Sequence, residues 1–133
     1  MSRGFVGIIK HLYFFYVCYN VIEMLDEKLV HDLIVDYMKE KFAREYKEIT
    51  INPSGSPDLI LCNYGLTLAV VEVETENSIS IEKAEKWKAV AEKNKLFLMI
   101  PKNARVKATE LLWQKGIGDK VAVGTYEIVI NMP

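Results

Sequence analysis

Residues 66 to 73, Leu-Thr-Leu-Ala-Val-Val-Glu-Val, are apolar at nearly every position, and no other stretch constrains the fold as strongly. A strand with apolar side chains on both faces must be covered on both, which predicts a central strand between helical layers. Leu59 to Cys62 forms a second apolar run, and Asn63-Tyr64-Gly65 lies between the two. Together they predict a hairpin. With Gly65 as the left-handed residue of a three-residue loop, Cys62 pairs with Leu66 and Asp58 lies opposite Val70. Asp58 then shares a sheet face with Glu72 and Glu74, which are two residues apart on one strand. A two-residue Tyr64-Gly65 turn sends Asp58 to the other face unless a bulge restores the register.

Carboxylates gathered at the end of a covered strand repel one another and lose hydration, so they call for a cation. Asp and Glu oxygens suit a hard divalent ion such as Mg²⁺ or Mn²⁺, which takes one or two carboxylates and completes its shell with water and phosphate. The alternative is plainer: Glu72 and Glu74 are the solvated end of a strand, paired with lysines.

Pro57-Asp58, thirteen intervening residues and Glu72-Val73-Glu74 resemble the motif of the PD-(D/E)XK restriction-endonuclease-like superfamily. Glu74 stands where that family usually has lysine, so this is an E-x-E variant. The resemblance implies that Asp58 and Glu72 bind Mg²⁺, aided by the Val73 carbonyl, and that Glu74 assists the attacking water or holds a second ion. It also makes Glu27, on the first helix, a candidate metal ligand. Lys86, or Lys83 beside it, is a candidate for the missing lysine function.

At 133 residues the chain has the length of one domain. Cys18 and Cys62 match no disulfide or zinc spacing, and a reducing cytoplasm is the expected setting. Charge is uneven: residues 23 to 77 carry twelve Asp/Glu against five Lys/Arg, and residues 82 to 120 carry ten Lys/Arg against five Asp/Glu. That suits an acidic metal pocket beside a phosphate-facing surface, although interleaved Lys and Glu on helices are ordinarily solvated pairs.

Residues 1–23 are an apolar extension, and 24–133 are expected to form the domain. The run Leu12 to Ile22, eleven residues, falls short of the ~20 needed to span a bilayer as a helix. It is an upstream extension before a start at Met24, or a segment docking on the domain or on a second copy. From Val21 to Phe42, Leu25, Leu29, Leu33, Ile34, Tyr37 and Met38 recur at helical spacing, with Asn20 and Glu23 as a cap. Glu27 and His31 fall at the border of that stripe, which makes His31 a helix-border side chain rather than a ligand. Residues 46 to 52 predict an edge strand, and Ser80 caps a helix to about Asn94 with Ala84, Trp87 and Ala91 inward. Leu96 to Ile100 predict a strand, Asn103 to Lys115 a helix stopped by Gly116, and Thr125 to Ile130 the last strand.

The order is helix, three strands, helix, strand, helix, strand. It predicts an α/β fold with a mixed central sheet flanked by helices. In terms of the resemblance, this is the restriction-endonuclease-like αβββαβ core with an additional helix before the last strand. Serine-hydrolase, Walker and zinc-protease motifs are missing from the sequence. The expected function is therefore metal-dependent hydrolysis of phosphodiester bonds in nucleic acid, with DNA as the first candidate substrate. The alternatives are an inactive nuclease-like module that binds nucleic acid or protein, or a small assembly protein.

Overall fold

A computed structural model describes residues 27–52 and 55–129. The expectations for the extension, the Asn20 cap, Met24, Leu25 and Ile130 lie outside these residues. The chain divides into two units, Met1–Val30 and His31–Pro133. Of the first, residues 27–30 are described, and they are helical. Among the described residues no helix is long and apolar enough to cross a membrane.

Residues 27–42 are helical throughout and form α1. The face that α1 buries is Ile34, Val35, Met38 and Phe42, whereas Leu29, Leu33 and Tyr37 are exposed. Ile34 and Met38 are buried as expected, but the centre of the buried face is turned from the expected stripe by about a third of a helical turn. One cause is visible at Phe42, whose ring packs against Phe97 with centroids 5.0 Å apart and so selects which face turns inward.

The sheet follows chain order, β1 (Glu48–Ile51), β2 (Leu59–Asn63), β3 (Leu66–Val73), β4 (Lys95–Pro101) and β5 (Val121–Tyr126). The first three strands are antiparallel neighbours, and β4 and β5 run parallel to β3. Parallel neighbours need crossovers, which α2 (Ile81–Lys93) and, after a 3-10 turn at Lys102–Ala104, α3 (Arg105–Gln114) supply. The result is an α/β fold with one helix ahead of a five-stranded mixed sheet and helices before β4 and before β5.

The β2–β3 turn corrects the expected loop. Asn63 pairs with Leu66, and Tyr64 and Gly65 both take positive φ, 51° and 77°, a two-residue turn of the type that follows strand twist. A tyrosine with positive φ is unfavourable alone, but here Tyr64 is anchored. Lys47 Nζ lies 4.3 Å from its ring centroid and donates to its hydroxyl, while the Lys47 N–H donates to Asn63 Oδ1 at 2.7 Å. A bulge follows: Cys62 pairs with Thr67 and Leu61 with Ala69, leaving Leu68 as the extra residue. Register is thereby restored by one place, Leu59 pairs with Val71, and Asp58, one residue earlier, comes level with Glu72. The hairpin end also projects, so Leu66 and Leu68 are exposed and only Ala69 to Val73 are covered on both faces.

The core between sheet and crossover helices holds Val70, Leu96, Leu98 and Ile100 from the strands against Ala84, Trp87, Ala108 and Leu112. Ser80 caps α2 as expected, its hydroxyl accepting from Lys83 N–H at 3.1 Å. Asn103 caps nothing, because it sits inside the 3-10 turn and Ala104 is the N-cap of α3. After α3, Gly116 has φ 74°, which lets the chain reverse and bury Ile117. That short reversal delivers Val121 to its place beside Leu96, so β5 begins four residues earlier than expected and ends at Tyr126.

Candidate functional site

Asp58, Glu72 and Glu74 are 4 %, 2 % and 1 % exposed. This rules out a solvated strand end. The three belong to the ends of β2 and β3, but each has different company.

Asp58 precedes the first residue of β2, and its side chain takes the ladder position beyond the last strand pair. Val73 N–H donates to Asp58 Oδ2 at 2.7 Å. Its other oxygen, Oδ1, lies 2.8 Å from His31 Nε2, and His31 Nδ1 lies 3.0 Å from Asp32 Oδ1. An imidazole with a carboxylate oxygen at each nitrogen is best satisfied with both nitrogens protonated. The hydrogen bond with Asp58, opposed by partial burial and helped by Asp32, pushes His31 up to about 9. His31 is therefore paired with one of the three acids rather than standing apart at the helix border. The signal was in the spacing: His31, Val35, Met38 and Phe42 fall at i, i+4, i+7 and i+11, one helical face.

Glu72 lies level with Leu98 of β4. Ser56 Oγ donates to its Oε1 at 2.7 Å. Among the described residues no Lys, Arg or His is within ion-pair distance of it. Burial pushes the Glu72 carboxyl up to about 7; the Ser56 hydroxyl opposes that rise, Asp58 and Glu74 add to it, and Lys83 reduces it.

Glu74 follows β3 and is tied down on every side. Its N–H donates to the Met99 carbonyl at 2.9 Å, and its carbonyl accepts from Tyr126 Oη at 2.7 Å. Trp87 Nε1 donates to Oε1 at 3.1 Å, Ser78 Oγ donates to Oε2 at 2.5 Å, and Lys83 Nζ stands 3.4 Å from Oε1. Ser78 is held in turn by the Thr75 N–H at 2.8 Å. The lysine that α2 brings to the acids is Lys83; Lys86 is exposed and makes no ion pair among the described residues. Glu27 is a half-buried residue of α1 in the first unit.

Among the described residues no group of three or more His, Cys, Asp or Glu side chains is spaced to hold a metal ion. Asp58 and Glu74 both have their two oxygens engaged, and Glu74, which accepts from Trp87 and Ser78 and has the Lys83 ammonium beside it, is the poorer fit as a ligand. Asp58 and Glu72 fit the smaller requirement of a hard divalent ion, two carboxylates with water completing the shell. Glu72 fits especially, since a desolvated carboxylate without a paired cation gains most from one. Comparison of the chain with protein families, with characterised proteins and with solved structures gives no match.

Proposed function

We propose that the protein hydrolyses phosphodiester bonds of nucleic acid, DNA first, with a divalent cation held by Asp58 and Glu72. The observation that carries this is Glu72, a buried acid beside a second buried acid with no cation in ion-pair reach among the described residues. A buried charge left in that condition costs stability, and proteins keep such conflicts at sites that work. The element order and the Pro57-Asp58…Glu72-Val73-Glu74 spacing support the same reading through their likeness to the restriction-endonuclease-like nucleases.

When bound, Mg²⁺ or Mn²⁺ supplies Lewis acidity toward the phosphate and lowers the pKa of its water. The remaining work falls to the chain. Asp58 and Glu72 would hold the ion, and the resemblance adds the Val73 carbonyl as a further donor. Glu74 would accept the proton of the attacking water. Lys83, paired with Glu74, contributes the positive charge that the motif lysine would otherwise bring. Cys62, a free thiol, is compatible with a reducing cytoplasm.

A second reading is a nuclease-like module that binds without cutting. The engagement of both Glu74 oxygens favours it, because a base already accepting from Trp87 and Ser78 is a weak one. One experiment separates the two. The full chain and Asp58→Ala are incubated with single-stranded, double-stranded and branched DNA in Mg²⁺ or Mn²⁺, alongside calorimetric titration with Mn²⁺. Cleavage and metal uptake that both vanish in Asp58→Ala establish the nuclease. Mn²⁺ uptake without cleavage establishes the binding module, and neither effect in the wild type refutes the cation site.

A further inference from the structure

We infer that His31, held by Asp32, is the positioning residue that fixes the carboxylate of Asp58. The inference rests on the cation-site reading for its consequence, though not for its geometry. A carboxylate at the start of a strand can rotate about its Cβ–Cγ bond, and rotation changes which lone pairs face a ligand. Asp58 is held against that rotation from two directions. Val73 N–H of β3 fixes Oδ2 at 2.7 Å, and His31 Nε2 of α1 fixes Oδ1 at 2.8 Å. Both supports belong to regular elements, β3 and α1. Val73 is the 2 % exposed last residue of a central strand. His31, half-buried, lines up along α1 with the buried Val35, Met38 and Phe42, and its far nitrogen is 3.0 Å from Asp32.

This is how ligand carboxylates are oriented elsewhere: a partner behind the ligand, itself held by a third group, sets the direction of the remaining lone pairs. The imidazole is well suited here, because its two nitrogens lie on opposite sides of a rigid ring. One donates inward to Asp58 while the other is pinned outward by Asp32, so the ring cannot turn without breaking both contacts.

The test compares wild type, His31→Ala, His31→Gln and Asp32→Asn, full length, with two readouts. Calorimetric Mn²⁺ titration reads the consequence. His31→Ala is expected to weaken Mn²⁺ binding about tenfold or more. His31→Gln, whose amide can still donate to Asp58, recovers most of that loss, and Asp32→Asn falls between. Mn²⁺ binding in His31→Ala equal to or tighter than wild type overturns the inference, since a displaced competitor would give that result. Hydrogen exchange in metal-free protein reads the geometry. The Val73 amide, bonded to Asp58 Oδ2, should exchange about tenfold faster in His31→Ala. The Leu98 amide should be unmoved, and His31→Gln should restore Val73. Val73 protection that survives His31→Ala overturns the inference whether or not the protein takes metal. Absence of Mn²⁺ uptake by the wild type removes the cation site alone, and Val73 exchange still decides the role of His31.

Discussion

Glu72→Gln should make the metal-free protein more stable above neutral pH and leave it nearly unchanged in acid. In the folded chain the Glu72 carboxyl holds its proton up to about pH 7, against an ordinary value of 4.5. Below 4.5 both folded and unfolded states carry the proton, and Glu72 contributes no difference. Between 4.5 and 7 the unfolded chain has released it and the folded chain has not, so stability falls as pH rises. Above 7 the folded state is ionised too, and the loss stands in full. Raising a carboxyl from 4.5 to about 7 corresponds to about 3 kcal/mol. Gln keeps an oxygen for the Ser56 hydroxyl and cannot ionise, so it removes this loss.

The assay is urea unfolding of wild type and Glu72→Gln in EDTA from pH 4 to 9. The gain of the variant should climb from near zero at pH 4 to about 2–3 kcal/mol at pH 8, a rise in Tm on the order of 10 °C. His31 supplies an internal control. Its folded value of about 9 lies above the ordinary 6.5, so its contribution is complete below pH 6.5 and is lost as pH rises toward 9. With the side chain 30 % exposed, solvent screening leaves that slope at about 1 kcal/mol, and both proteins should share it. A difference between the two proteins that is flat from pH 4 to 8, or a variant less stable than wild type at pH 8, would refute the claim that the Ser56 hydroxyl and the more distant Lys83 leave the burial of Glu72 undercompensated.

Trp87→Phe should cost about 2–4 kcal/mol by urea unfolding, since it shrinks a fully buried side chain and removes a donor from Glu74. Combined with Glu74→Gln its cost should fall short of the sum of the two by about 1 kcal/mol, and strict additivity would show that the indole–carboxylate bond is energetically idle. Lys83→Ala should lower DNA turnover by roughly a hundredfold, measured at saturating Mg²⁺, and Lys86→Ala by far less. The reverse order would transfer the role to Lys86.

Much of the fold was legible because burial in this chain follows blocks. The apolar runs Leu59 to Cys62, Leu66 to Val73 and Leu96 to Ile100 each became a strand, and Ser80 and Gly116 bounded helices by capping and by φ freedom. Other features depended on partners distant in sequence. The three-residue loop failed because Lys47, seventeen residues before Tyr64, holds that ring at positive φ. The bulge at Leu68 then returned Asp58 to the face it was expected to occupy, by a route the local pattern does not display. The register of β5 was hidden because Val121-Ala122-Val123 is a short apolar run that shows its place only once Leu96 is beside it. The stripe of α1 misled because it offered more apolar positions than one face can bury, and the Phe42 contact with Phe97 marks the face turned inward.

The candidate site was legible as a place and not as a distribution of charge. Asp58 and Glu72 were expected to hold the ion, with Glu74 assisting the water or holding a second ion, but that division came from the resemblance, and sequence spacing treats the three alike. Their burial is alike as well, yet their compensation differs. Asp58 has His31 and a backbone N–H, and Glu74 has Lys83, an indole and a hydroxyl, whereas Glu72 has the Ser56 hydroxyl. None of those partners except Val73 lies in the motif itself, so no reading of the motif could have ranked the three acids. The ranking also assigns them different work. An acid already balanced by protein cations is costly to recruit as a metal ligand, because its partner must first be displaced or left buried without a counter-charge. For Glu74 that displacement would strand Lys83 and Trp87 together. For Asp58 the partners are His31 and the Val73 N–H, one on each oxygen, and a ligand would share the carboxylate with them. For Glu72 no paired cation has to be displaced among the described residues, while burial first and then Asp58 and Glu74 oppose its charge, which is why a cation should enter the site at Glu72.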